Sequence, residues 1–290
     1  MTNRPNGVVA GEHTADDGLY GPDSVTWKVM ASPALVVAGH AAAMVQMLLP
    51  PVMYVIDQSS SVRLRPEQRA QRTGDYTVTI SYGDVAAAER AGEHLRALHA
   101  TRSAVDPTTG QRYQADDPDL LVWVHNALTW MLLRAFRTYG PELTESEENQ
   151  FVVEQREVAA RLVGCDLDLV TDTVSGLDEY MDSMTPRLAM STPAIWFRDM
   201  MVPSGFALEP GAAIRKTVAH AAVLLMGDEH QALYGFRLNR VQRFTTVATT
   251  RALFAAGNSK TPVASAIPQI REYVDAHAFG ARRVKVVDPG

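Results

Sequence analysis

One cysteine, Cys165, stands among 290 residues, which excludes an intramolecular disulfide and fits a reducing compartment. The nucleophile elbow G-x-S-x-G, the phosphate loop G-x-x-x-x-G-K-[ST], the dinucleotide glycine fingerprint and the zinc helix H-E-x-x-H are all missing. The usual serine-hydrolase, nucleotide-dependent and zinc-protease signatures go with them. Basic residues are in the minority, 27 Lys and Arg against 33 Asp and Glu, for a net charge of -6, and no basic run occurs. That balance argues against a nucleic-acid partner. The first eighteen residues lack an apolar stretch preceded by positive charge, so no secretory signal is expected and a cytoplasmic location is. The most apolar stretch, Ala34 to Ile56, is interrupted by His40, Gln46 and Pro50-Pro51. Its uninterrupted part is about sixteen residues where about 20 are needed to span a bilayer. It reads as a buried core helix, and no transmembrane segment is expected.

What is present is an ordinary globular balance, 46% hydrophobic and 21% charged. A disordered tail over 1–18 followed by a single domain over 19–285 is the expected organisation. Helix punctuation runs along the chain. Gly21-Pro22-Asp23-Ser24 offers a turn and an N-cap before Trp27, while Pro33 and Pro66 open helices and Pro50 ends one. Asp84 caps a helix, Asp106 to Gly110 is a turn, Asp116 or Asp117 caps the next helix, and Gly140-Pro141 ends it. Thr144-Glu145-Ser146-Glu147 is a capping box for a helix reaching Gly164. Further amphipathic stretches follow at about 175–184, 193–201, 210–226, 228–235, 240–256 and 264–278. Tyr76 to Ile80 is β-branched and would read as a strand alone, but no partner strand is visible. The whole is predicted to be all-α.

Between Asp84 and Tyr139 two helices each carry one histidine on or beside an apolar face, His99 and His125. Arg96 lies three residues before His99 and shares its face. A neutral imidazole in an apolar cleft with a basic group nearby is what an iron porphyrin needs. Arg69, Arg72 and Thr73 form one polar, donor-rich face on the preceding helix. Each feature has a plainer reading: a buried imidazole satisfied by a carbonyl, a solvated helix surface. Asp228-Glu229-His230 reads as a cap followed by solvent-facing charge more readily than as a metal site.

The order of these pieces resembles the haem-dependent rubber oxygenases (latex clearing proteins) and the MpaB-type oxygenases. The resemblance covers roughly Gly21 to Arg240, through Gly21-Pro22-Asp23-Ser24-Val25-Thr26-Trp27, Arg69-x-x-Arg72-Thr73, Arg96-x-x-His99, Asp116 to His125, and Leu177-x-x-Tyr180-Met181. It implies a globin-like helical core with additional N- and C-terminal helices, holding non-covalent b-type haem. His99 is the implied proximal iron ligand, with Arg96 and Arg69 near the haem edge and Arg72 and Thr73 on the distal side. His125 matches a second family histidine, beside the haem or competing as ligand.

Three departures stand out. Arginine replaces the distal lysine of rubber oxygenases, and arginine stays protonated and cannot ligate iron. Leu49-Pro50 replaces a His-Pro found in many relatives, and no residue is placed in the role of the acidic base of rubber oxygenases. Those enzymes act outside the cell, so polymer cleavage is not expected here. The resulting expectation is a haem b oxygenase that uses O₂ on an apolar small molecule, with homo-oligomerisation left open. Two other readings stand beside it: a haem-binding or sensing protein without turnover, and a helical ligand-binding protein without cofactor.

Overall fold

In a computed structural model, residues 17–203 and 211–256 are described. The N-terminal tail up to residue 16 and the helix expected at 264–278 lie outside them. The described chain is all-α apart from one small hairpin.

Two helices make the centre. α2 (Ala34–Gln46) is rich in alanine, which lets its backbone approach α6 (Pro118–Tyr139), its closest-packed partner. Trp123 of α6, fully buried, donates its indole N–H to the Gln46 carbonyl at 3.1 Å, and the Gln46 amide donates to the Val124 carbonyl at 2.8 Å. These two bonds satisfy polar groups that would otherwise be stranded in the core. His40, the one basic residue of α2, donates from Nε2 to the Met201 carbonyl at 2.9 Å. After α2 the chain turns through Leu48 and Leu49 into α3 (Pro50–Ser59), with Pro50 in its first turn and a bend of 103° between the two axes. Among the described residues no single helix is long and apolar enough to cross a membrane.

α1 (Val25–Met30) begins where the sequence indicated. The Ser24 hydroxyl accepts from the Trp27 amide, and the Glu154 carboxylate accepts from the Thr26 amide at 2.8 Å and the Val25 amide at 3.3 Å. The motif around Ser24 thus fastens onto α7 (Glu145–Glu154), which opens with the expected Thr144–Glu147 capping box. α7 continues through a π-helical segment, Gln155–Ala160, into the short α8 (Arg161–Val163), which ends on Gly164 at φ +93°. The π segment was not foreseen, since one extra residue per turn leaves no compositional mark.

α4 (Pro66–Tyr82) contains the strand-like Tyr76–Ile80 run as helix. Thr73, Thr77 and Thr79 each return their hydroxyls to the carbonyl four residues back, at 3.1, 2.9 and 2.7 Å, so these β-branched residues add bonds to the helix surface. α5 (Val85–His99) is capped by Asp84 through the Ala87 amide. The turn expected at Asp106–Gly110 closes a hairpin of β1 (Ser103–Val105) and β2 (Arg112–Gln114), paired in register Ala104 to Tyr113. Three-residue strands are too short to show an alternating pattern. The remaining helices are α9 (Val174–Met184), α10 (Thr192–Met201), α11 (Ala212–Leu225), α12 (Asp228–Leu233) and α13 (Arg240–Ala256). In α12 the cap is Gly227, and His230 turns inward to donate from Nδ1 to the Met226 carbonyl, so that stretch is not wholly solvent-facing.

Candidate functional site

The sequence candidates fall on α4, α5 and α6, but not as one histidine pair on two packed helices. α5 packs against α4 and α8, whereas the main partner of α6 is α2. The site is therefore a junction of α4, α5, α8 and the N-terminal end of α6.

On α4, Arg69, Thr73, Tyr76 and Ile80 recur at helical spacing and share a face. Arg69 is half-buried and makes no ion pair among the described residues; burial lowers its pKa. An uncompensated, partly desolvated guanidinium is costly unless an anion accompanies it. Tyr76 places its hydroxyl in a buried spot with no hydrogen-bond partner among the described residues. Burial pushes the Tyr76 pKa up to about 12, against the opposing field of Arg96. Arg72 and Thr73 are exposed, and the Thr73 hydroxyl is committed to the Arg69 carbonyl.

On α5 the close approach to α8 depends on Gly92. A Cβ there would lie 3.1 Å from both the Leu162 carbonyl oxygen and its Cδ2. Arg96 then reaches across Gly164 and donates from Nη1 to the Leu162 carbonyl at 2.7 Å, satisfying an orphan carbonyl of a helix end. Arg96 is thus a clamp between helices as well as a cation near the site.

His99, the last residue of α5, is half-buried, with Nδ1 buried and unpartnered among the described residues. Burial holds its pKa below the ordinary imidazole value, Asp116 pulls it back up, and Arg69 pushes it further down. The field of Arg69 at His99 links the two helices electrostatically. A buried nitrogen left without a partner costs about 1–3 kcal/mol, so Nδ1 of His99 is open to a water or a ligand. His125 lies inside α6, 6% exposed, its pKa lowered to about 4 by burial. It too is neutral at pH 7, the form that can bind a metal.

Beside these residues lies a small apolar cluster separate from the main core. It is made of Leu121 and Val122 from α6, Ala160 from the π segment, Cys165 and Val170, with Tyr180 of α9 packed against it. Cys165 lies near both Tyr76 and Tyr180, and burial raises its thiol pKa to about 12, so it stays a neutral thiol there. The structure therefore gathers Arg69 with His99 and Asp116, and Tyr76 with Arg96 and Cys165. It leaves Arg72 and Thr73 on an outer surface and His125 within the central helix. Tyr76, Cys165 and Asp116 were not among the sequence candidates. Tyr76 sits seven residues from Arg69, a spacing that points to a shared face once the segment is helical.

The donor set suits haem. A porphyrin brings four nitrogens of its own, so one neutral imidazole suffices for the iron, and an unpaired arginine suits a propionate. The residues that fit these roles are His99 and Arg69, with His125 as the second buried imidazole.

The family model described as ER-bound oxygenase mpaB/B'/Rubber oxygenase, catalytic domain, matches residues 27–256. No curated protein and no solved structure matches the chain. The matched span takes in most of α1, all of α2 through α13 and every candidate residue. By that match the chain belongs to the MpaB/rubber oxygenase catalytic-domain family, and its domain is of the oxygenase type.

Proposed function

We propose that this domain is a haem b-dependent oxygenase acting with O₂ on an apolar small molecule. The observation that carries the proposal is the unpartnered, buried Nδ1 of the neutral His99 in the field of the unpaired Arg69. Haem, when bound, supplies an iron centre that activates O₂; the protein supplies its position and surroundings. In this reading His99 would hold the iron and Arg69 would pair with a haem carboxylate. Arg96 keeps α5 against α8 and so fixes the height of His99. The cluster of Leu121, Val122, Ala160 and Val170 would offer the apolar contact surface, with Tyr180 packed against it. Arg72 and Thr73, exposed on α4, would act as donors on the oxygen side only by turning in from the outer surface, and Thr73 would first have to release the Arg69 carbonyl.

The test is spectroscopic and then catalytic. Purified protein titrated with haemin is expected to give a Soret band that saturates at one equivalent, and O₂ consumption that depends on an added apolar olefin or aromatic. Haem binding without substrate-dependent O₂ uptake would favour a haem carrier or sensor. No saturable Soret band would leave a helical ligand-binding protein.

A further inference from the structure

A second concave site lies at the far end of α6. Arg134 is sixteen residues past Pro118, about 24 Å along the helix from the end near His99. There a cavity of about 180 Å³ is lined by Arg134, Arg137 and Thr138 of α6 and by Leu224 and Leu225 of α11. One water needs only about 10–15 Å³ of such space, so the cavity has room for a larger guest.

Its charge is lopsided. Arg137 is held by Glu148 through a bidentate pair at 2.6 and 2.5 Å. Arg251 of α13 closes on the same corner, donating from Nε and Nη2 to the Thr138 carbonyl at 3.2 and 2.8 Å. Arg134 donates from Nε to the Leu225 carbonyl at 2.9 Å and stacks over Trp130 at 4.5 Å, but it has no carboxylate within ion-pair distance among the described residues. A second carboxylate, Asp178, accepts from the Trp130 indole N–H at 2.7 Å and acts on Arg134 and Arg137 from a distance. Three guanidinium groups thus meet two carboxylates, of which Glu148 alone is in direct contact among the described residues, in a chain whose net charge is -6. Compensation of the helix C-terminal dipole accounts for one basic residue here. It does not account for three, nor for a concavity whose other wall is two leucines.

We infer that this cavity binds an oxyanion, a phosphate or carboxylate group, held by Arg134 with Arg137 and Arg251 at the rim. Guanidinium donors suit the two oxygens of either group, and the half-buried Leu224 suits a short apolar portion attached to it. This site is independent of the haem reading.

The test is calorimetric titration of the full chain with inorganic phosphate and, separately, with hexanoate, at ionic strength fixed with chloride. Saturable binding of at least one anion is expected, weakened at least ten-fold by Arg134→Met and several-fold by Arg251→Gln. Tighter phosphate binding identifies a phosphoryl guest, and tighter hexanoate binding a carboxylate with an apolar tail. Should Arg134→Met fail to fold, Leu224→Trp fills the cavity and should abolish binding. Absence of binding beyond chloride, or affinities unchanged in Arg251→Gln and Leu224→Trp, overturns the inference.

Discussion

His40, His99, His125 and His230 are all held below the ordinary imidazole value, and burial is the largest cause in each. For each, the unfolded chain binds a proton more readily than the folded one, so stability rises with pH across the window between the two values. For His125 that window runs from 6.5 down to about 4, worth roughly 3 kcal/mol in full. Urea unfolding at pH 7.5 and at pH 5 should therefore show acid destabilisation. His125→Leu should shrink that difference, with the other three histidines keeping part of it. Arg69 gives a separate test at this scale. Because it makes no ion pair, Arg69→Met should leave the helical circular dichroism unchanged while weakening haem binding about ten-fold, the effect of losing one charge-assisted bond of about 1.5 kcal/mol.

Among elements, the close contact of α5 with α8 carries most of the site's geometry. Gly164 holds φ +93°, and a Cβ there would come within 3.0 Å of Arg96 Cδ. Gly164→Ala is expected to cost about 1–2 kcal/mol and to displace Arg96, so that melting temperature and haem affinity fall together. An unchanged haem affinity in a destabilised variant would separate the clamp from the site. Sequence reading reached caps and stops well here. Asp84, Asp117, Thr144 and Gly164 act by local bonding, which neighbouring residues determine. It did not reach the π segment, the hairpin, or the inward face of α4, because these depend on contacts distant in the chain. The clamp of Arg96 on Leu162 spans 66 residues, and only its end at Arg96 was marked by a motif. His99 was legible as a residue on an apolar face; its unpartnered nitrogen was not.

Across the whole molecule, the alanine face of α2 against α6 sets the frame in which α4, α5 and α8 meet. Trp123 is the largest fully buried side chain in that frame, and its indole is bonded to the end of α2. Trp123→Ala should cost roughly 3–5 kcal/mol in chemical unfolding, and ligand binding at either proposed site should suffer only through stability. If haem binds as proposed, it should also stabilise the fold, by about 2.7 kcal/mol when free haem reaches a hundred times its dissociation constant. The central claim is tested most directly by haemin titration of the wild type, His99→Ala and His125→Ala, followed by absorption. A stoichiometric Soret band is expected in the wild type, its loss in His99→Ala, and retained haem with an altered spectrum in His125→Ala. A wild type without a saturable band, or haem kept by His99→Ala and lost by His125→Ala, would contradict it.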